Sequence, residues 1–262
     1  MIRKFLLLFL LPAFLLCQQQ APKEMKVIID AGHGGYDAGA VSNRGTKEKD
    51  VALEIALLLK NYIENLSGLP VQAILTRSED KFVPLIDRVS LANKSEGDLF
   101  ISLHMNASPS RRDTGFEVYF YDSTGDAETS AVAKRENEPN GVVDSKDKNN
   151  PLYILWDLAQ NEFSKESSEA SDVIQAALDG ALNENSETSL KLRNRGVKQA
   201  DFLVLNGMKM PSVLLEMGFL TNNGDEEKFK KKEFKERYAE AIASAVRRIC
   251  RKFDKKSETT VK

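Results

Sequence analysis

Disulfide bonds cannot hold this chain together, because only two of its 262 residues are cysteines. Cys17 lies in an N-terminal apolar segment that we expect to be a leader, which leaves Cys250 without a partner. A small secreted fold built on disulfides is therefore excluded. About 245 residues must instead bury an ordinary apolar core, and that length suits one α/β domain.

An excess of positive charge is also missing. The chain has 37 Lys and Arg residues against 39 Asp and Glu residues, so its formal net charge is -2. Nucleic-acid binders usually present a basic field, and this balance gives no reason to expect a nucleic-acid partner. A basic group near the C terminus, from Arg247 to Lys256, is explained by the favourable interaction of cations with the end of a helix.

Long apolar runs are confined to the first residues of the chain. Arg3 and Lys4 precede a stretch from Phe5 to Leu16 that is too short to span a bilayer and is typical of a signal peptide. We expect residues 1–17 to be a signal peptide and the protein to be exported, either to the periplasm or attached to the envelope. An ordinary cut between Cys17 and Ala21 and a lipoprotein signal with a lipid anchor on Cys17 both remain open.

Histidine is scarce as well, and its two occurrences have the same setting. His33 and His104 each follow the end of an apolar run. Histidine is the commonest metal ligand, and a hydrolytic zinc site needs three protein ligands and one open position for water. Either histidine alone is also compatible with an ordinary hydrogen-bonded role. Together they indicate two of the three ligands of a catalytic zinc.

Strands and helices alternate along most of the sequence. Apolar and β-branched runs predict strands, and apolar residues at helical spacing predict helices. The predicted strands are 25–30, 71–76, 98–104, 116–121, 202–205 and 212–216, and the predicted helices outside the polar segment are 47–66, 85–93 and 232–249. This order favours an α/β fold with a mostly parallel sheet covered on both faces. The domain is expected to span residues 25–253, followed by a disordered tail at 254–262.

A polar segment interrupts this alternation at residues 122–195. It is rich in Ser, Glu, Asn, Asp and Lys, and it contains helical patterns at 127–137 and 153–182. We interpret it as a helical insertion between strands of the sheet; an ordinary helical excursion is the alternative.

Two glutamates complete the chemical group. Glu216 ends the predicted strand 212–216, and Glu48 lies in the first turn of the helix after the His33 loop, where the helix dipole favours a carboxylate. The carboxyl ends of parallel strands meet at one edge of the sheet, so these groups can converge. Two imidazoles and one carboxylate would form a zinc centre, and the remaining glutamate would act as general base.

Four segments of the chain resemble those of the zinc-dependent N-acetylmuramoyl-L-alanine amidases. They are IIDAGHGGYDAGA at 28–40, EKD at 48–50, FISLHMNA at 100–107 and VLLEMGFLTN at 213–222. The resemblance extends from Met25 to about Ile249, and four ordered motifs are more specific than one glycine-rich match. It implies a twisted, largely parallel six-stranded sheet flanked by helices. It also implies hydrolysis of the amide between N-acetylmuramic acid and L-alanine in peptidoglycan, in cell-wall remodelling or daughter-cell separation.

The resemblance further implies a role for each site residue. His33, Glu48 and His104 would bind Zn2+, and Glu216 would be the catalytic glutamate. In amidases that split the septal wall, an insertion at this place covers the site until an activator protein displaces it, and one of its acidic residues can occupy the open zinc position. Glu128 in the first inserted helix is the residue expected to do so here.

Other functions remain as alternatives. A zinc peptidase acting on the stem peptides of peptidoglycan would use the same metal chemistry, whereas a glycosidase using two carboxylates would leave both histidines unexplained. A non-catalytic wall-binding protein of the same fold is a further alternative, disfavoured because all four chemical positions are present. We expect a monomer.

Overall fold

The computed structural model describes residues 24–123, 125–138, 163–184 and 190–260, with side chains to residue 253 in the last helix. The expected signal peptide and Cys17 lie outside these residues. The strands are β1 (Met25–Ala31), β2 (Val71–Leu75), β3 (Leu99–Asn106), β4 (Phe116–Tyr121), β5 (Asn194–Ala200) and β6 (Ser212–Phe219). The helices are α1 (Glu48–Glu64), α2 (Leu85–Lys94), α3 (Ala127–Asn137), α4 (Ser164–Asn183), α5 (Asn223–Lys230) and α6 (Lys232–Thr260). None of the helices in the described ranges is long and apolar enough to cross a membrane.

The described strands form one six-stranded sheet in the order β2-β1-β3-β6-β4-β5. All neighbouring pairs are parallel except β4 and β6, which are antiparallel. The prediction of a mostly parallel six-stranded α/β sheet is thus confirmed. β1, β3 and β6 are central, so the carboxyl ends of β1 and β3 lie side by side next to β6.

The central strands separate two apolar layers. On one face, alternate residues such as Val27, Ile101 and Val213 pack with helices α1, α4 and α6. On the other face, Ile28 and Phe100 pack with α2, α3 and the chain around residues 200–210. Burial on both faces explains why β3 and β6 are nearly continuous apolar runs.

One predicted strand is wrong. Residues 202–205 form a buried turn, and the strand beside β4 is instead β5, whose sequence is NRGVKQA. β5 is an edge strand with mostly half-buried side chains, so it lacks the apolar pattern of a buried strand. The apolar residues that suggested a strand at 202–205 pack under the sheet without extended backbone.

The predicted insertion needs different bounds. Helix α3 has the predicted limits, but α4 packs in the main core through Ala170, Ile174, Leu178 and Leu182. Helix α4 and the start of β5 are therefore parts of the sheet domain. The first third of the helix predicted at 153–182, residues 153–162, lies outside the described residues.

The C-terminal helix is longer than its pattern predicts. Helix α6 continues to Thr260, so residues 254–260 of the expected disordered tail are helical. Helix α5 has no apolar repeat and was not predicted. It begins after Asn222, whose side-chain oxygen accepts hydrogen bonds from the backbone of Gly224 and Asp225.

Candidate metal centre and active site

Four buried side chains from four elements meet at the carboxyl edge of the sheet. His33 follows β1, Glu48 is the first residue of α1, His104 lies near the end of β3, and Glu136 lies in the last turn of α3. One nitrogen or oxygen atom from each lies within 4.8 Å of the corresponding atoms of the other three. Sequence reasoning placed the first three residues in a common site, and the structure brings them together.

The spacing within this cluster suits a small cation. Nε2 of His33 lies 3.0 Å from Oε1 of Glu48 and 3.0 Å from Oε2 of Glu136. Nδ1 of His104 lies 3.0 Å from the same Glu48 oxygen and 2.9 Å from the same Glu136 oxygen. Ligands bound tetrahedrally to zinc at 2.0–2.1 Å are separated by about 3.3 Å. The four nitrogen–oxygen distances are therefore close to the separation of neighbouring ligands around zinc.

The orientation of His33 favours metal binding through Nε2. Its Nδ1 atom lies 2.9 Å from the Asp37 carboxylate, which can only accept a hydrogen bond and so holds the proton on Nδ1. Nε2 then faces two carboxylates, and it makes no well-formed hydrogen bond among the described residues. Two buried carboxylates that meet at one imidazole nitrogen need a cation between them, which is a proton in the metal-free site and would be a metal ion in the loaded site. The donor set thus fits a divalent metal.

Glu48 is fixed by backbone donors. Its Oε1 accepts a hydrogen bond of 2.8 Å from the Met105 amide, and its Oε2 accepts one of 2.7 Å from the Ala40 amide. Its place at the start of α1 adds the favourable field of the helix dipole. Lys47 is the N-cap residue of α1, and its side chain makes no capping hydrogen bond.

Two glycines make room for the ligands. A Cβ atom on Gly32 would lie 2.5 Å from Cε1 of His104, and one on Gly39 would lie 2.6 Å from both Oε2 of Glu48 and Cδ2 of His33. Gly39 also has a positive φ of 63°. Any larger residue at either position would displace a ligand side chain.

The charges of the cluster shift its pKa values strongly when no metal is bound. Burial lowers the pKa of His104, but the Glu136 carboxylate outweighs it, and the net effect raises that pKa to about 9. Burial raises the pKa of Glu48, but protonated His33 outweighs this and lowers it to about 2. Two carboxylates thus hold protons on both imidazoles, and a metal must displace those protons to bind.

Glu216 lies beside the cluster. It pairs in register with His104 on the neighbouring strand and is completely buried. Its Oε1 lies 3.3 Å from Nη2 of Arg135, and its Oε2 has no partner within the described structure. Burial raises the pKa of Glu216 well above its usual range, and the charge of Glu136 adds to the rise against the opposing effect of Arg135. A buried carboxyl with a raised pKa is suited to accept and return a proton.

The structure does not bring Glu128 to the metal cluster. Its side chain is 60% exposed and its Oε1 accepts hydrogen bonds from Arg195 and Lys198. Glu136, eight residues later, occupies the expected place instead. Helical periodicity gave a signal for this, because the buried face of α3 consists of Thr129, Val132, Ala133 and Glu136, and Glu128 is outside it.

A buried group of two histidines and a carboxylate at the strand ends of a parallel sheet, with a second glutamate beside it, defines a metal-dependent hydrolase. Comparison with known families supports this class and refines it. The chain matches the N-acetylmuramoyl-L-alanine amidase family over residues 27–248. It is 35% identical over 225 residues to N-acetylmuramoyl-L-alanine amidase AmiA of Escherichia coli, covering 84% of this chain and 74% of that protein. The chain belongs to the N-acetylmuramoyl-L-alanine amidase family.

Solved structures give the same assignment. N-acetylmuramoyl-L-alanine amidase AmiC2 of Nostoc punctiforme superposes with a TM-score of 0.64 and 29% identity, covering 87% of this chain and 98% of that chain. The CwlD amidase of Clostridioides difficile, solved in complex with the GerS lipoprotein, gives a TM-score of 0.64 and 26% identity over 86% of this chain and 98% of that chain. The protein is accordingly an enzyme that hydrolyses the amide between N-acetylmuramic acid and L-alanine in peptidoglycan.

Proposed function

We propose that the amidase uses one Zn2+ held by His33, Glu48 and His104, and that Glu216 is its general base and acid. The observation that carries this proposal is the buried Nε2 atom of His33, which lies 3.0 Å from each of two carboxylates and has no other described partner. Two imidazoles and one carboxylate leave a net charge of +1 on a zinc centre, which suits the activation of water.

Each residue then has a defined task. Zinc held by His33, Glu48 and His104 would polarise the scissile carbonyl and lower the pKa of a bound water. Oε2 of Glu216 would accept the proton of the attacking water and return it to the nitrogen of L-alanine as the amide breaks. Asp37 holds His33 in the correct tautomer, and the amides of Ala40 and Met105 hold Glu48.

We infer that α3 inhibits this chemistry in two ways. Oε2 of Glu136 occupies the corner of the cluster where water must lie. The neighbouring residue, Arg135, donates to Oε1 of Glu216 and also to Oε1 of Glu136. While α3 is in this position, the metal lacks an open site and the general base is engaged by a cation. The inhibitory carboxylate is therefore assigned to Glu136 rather than Glu128.

Activation requires that α3 leave the site, and we propose that a protein partner causes it. The CwlD amidase was solved in complex with the GerS lipoprotein, which supports the idea that amidases of this fold bind protein partners. The cell-wall substrate and the N-terminal sequence support export, to the periplasm or attached to the envelope through Cys17, and a role in wall remodelling or daughter-cell separation. All proposed ligands and Glu216 come from one chain, so a monomer is sufficient.

The test uses purified peptidoglycan and the full chain carrying Glu136→Gln, which removes the inhibitory carboxylate. We expect zinc-dependent release of stem peptides that begin with L-alanine, at least about tenfold faster than from the wild-type chain, and loss of release on chelation. Mass spectrometry of the products distinguishes an amidase from a peptidase, because only an amidase frees intact stems.

A further variant tests the role of Glu216. Glu136→Gln combined with Glu216→Gln should bind zinc in a 1:1 ratio but cleave at least about a hundredfold more slowly than Glu136→Gln alone. An undiminished Glu136→Gln rate in the zinc-loaded double variant would remove Glu216 from the mechanism. A deletion of residues 122–195 is unsuitable, because it would also remove the core helix α4 and the start of β5.

A further inference from the structure

Next to the metal cluster lies a cavity of about 650 Å³. Its lining includes Glu128 and Arg135 from α3, Arg195 from β5 and Phe219 from β6. The guanidinium of Arg195 lies 5.2 Å from the centre of the Phe219 ring, in position for a cation–π contact. The cavity is thus wide enough for part of a peptide and has a cation held in its wall.

The charges around Arg195 would not balance without α3, because Lys198, which lies outside the cavity lining, shares the same carboxylate partner. Arg195 and Lys198 both donate to the same oxygen of Glu117, a carboxylate that is almost fully buried. Glu117 offsets only one of the two positive charges. The second is offset by Glu128, whose Oε1 lies 2.8 Å from Nη2 of Arg195 and 3.1 Å from Nζ of Lys198. When α3 leaves, Glu128 leaves with it, and the pair keeps one unmatched positive charge.

We propose that Arg195 and Lys198 form a binding site for a free carboxylate of the peptidoglycan stem peptide, and that Glu128 occupies this site while α3 is bound. The inference rests on the proposed function. Helix α3 then carries two carboxylates that occupy sites otherwise used by the reaction. Glu136 lies at the metal position, and Glu128 lies against Arg195 and Lys198. A guanidinium beside an ammonium is a strong and directional receptor for a carboxylate.

The spacing of the two positions fits a short peptide. Glu128 and Glu136 are eight residues apart in one helix, which corresponds to about 12 Å along its axis. An extended peptide covers that distance in roughly three residues. The recognised carboxylate would therefore belong to the acidic residues that follow L-alanine in the stem, and the site would select stems whose carboxylates are free over stems in which they are amidated.

Binding of two stem peptides to the full chain tests this inference without any hydrolysis. One probe is the tripeptide L-alanyl-γ-D-glutamyl-diaminopimelate with free side carboxylates, and the other is the same peptide with those groups amidated. Calorimetric titration of the zinc-loaded Glu128→Gln variant should give an affinity for the free peptide at least about tenfold higher than for the amidated peptide. In Glu136→Gln the retained Glu128 still competes with the peptide for Arg195 and Lys198 whenever α3 is bound, so the preference for the free peptide should be smaller than in Glu128→Gln.

Substitution of the cations gives the second half of the test. In the Glu128→Gln background, Lys198→Gln and Arg195→Gln should each abolish most of the preference for the free peptide. Arg251→Gln, which changes an exposed arginine of α6, should leave that preference intact.

Equal affinity for the two peptides in Glu128→Gln would overturn the inference, and so would an undiminished preference in Lys198→Gln. If peptidoglycan is cleaved but the peptides bind equally, only this site is disproved. If the free peptide is preferred but peptidoglycan stays intact, the proposed catalysis fails instead.

Discussion

Asp30 and Arg88 form a buried ion pair directly beneath the His33 loop, with 2.6 Å between Oδ1 and Nη1. Arg88 also donates to the carbonyl oxygens of Ala31 and His33. A second buried arginine, Arg77, donates to the carbonyls of Ala31 and Gly32. The backbone that carries His33 is therefore held by two guanidinium groups, one of which depends on Asp30 for its charge balance.

The ion pair predicts a specific pH dependence. Burial raises the pKa of Asp30, but Arg88 and the hydroxyls of Thr76 and Ser102 outweigh this and lower it below its ordinary value of 3.8. A lowered pKa stabilises the fold above pH 3.8, and the stabilisation is lost as pH falls through the folded-state value. Asp30→Asn should cost about 3–5 kcal/mol near neutral pH, because it leaves Arg88 buried without a counter-charge.

Urea unfolding of the metal-free proteins between about pH 7 and pH 3 measures this effect. The difference in unfolding free energy between wild type and Asp30→Asn should narrow below pH 3.8. A difference that is constant across this range would show that the charge of Asp30 does not contribute.

Gly32→Ala should weaken metal binding. The added methyl group would lie within 2.5–2.8 Å of three atoms of the His104 ring and must push that ligand away. We expect at least about a tenfold loss of zinc affinity in competition with a chelator. Gly180→Ala in α4 is the matched control, because the added Cβ atom would meet only the side chain of Glu184, at 4.0 Å. The control should bind zinc normally and gain about 0.5–1 kcal/mol of stability.

Asp37→Asn should lower zinc affinity without removing a ligand. The carboxylate of Asp37 fixes the proton on Nδ1 of His33, and an amide holds it less strongly. Loss of such a support commonly costs about 10–100-fold in metal affinity. Zinc titration of this variant beside Asp172→Asn, which changes an exposed aspartate of α4, measures the effect. Equal affinities in the two variants would contradict the role given to Asp37.

Tyr238→Phe should not destabilise the protein. Tyr238 is fully buried on α6 among Phe229 and Phe234, and its hydroxyl has no hydrogen-bond partner within the described residues. Removal of an unsatisfied buried hydroxyl eliminates its desolvation cost, so we expect a gain of up to about 1 kcal/mol in thermal or urea unfolding. A loss of more than about 1 kcal/mol would indicate that the hydroxyl is hydrogen-bonded in solution.

The sequence predicts the central part of this structure well, because the buried apolar strands and the chemically reactive residues occur there together. β1, β3 and β6 are buried on both faces, so their apolar runs are unambiguous. β1 is followed by His33, β3 contains His104 and β6 contains Glu216. β5 was not predicted, because an edge strand needs no apolar face. The roles of Arg77 and Arg88 were not predicted either, because only the folded chain brings backbone carbonyls and the Asp30 carboxylate near them.

The sequence was less able to predict which acidic residue of α3 lies at the metal cluster. Glu128 and Glu136 lie in the same predicted helix, and choosing between them required the direction in which that helix faces the sheet. The inward repeat of Thr129, Val132, Ala133 and Glu136 contains this information. This repeat identifies Glu136 as the residue at the cluster only once α3 is known to pack against the carboxyl edge of the sheet.

Helix α3 has a thermodynamic consequence beyond inhibition. In the proposed mechanism Glu136, Arg135 and Glu128 hold positions that the stem peptide and water must take, so helix and substrate would exclude each other and the cell wall itself would compete with the helix. If the closed form outnumbers the open form by about 99 to 1, the apparent affinity for peptidoglycan falls about a hundredfold. A partner then needs no catalytic group of its own. A preference for the open form of about 3 kcal/mol would bring the two forms to roughly equal populations and return about half of the lost affinity, and a preference of about 5.5 kcal/mol would return nearly all of it.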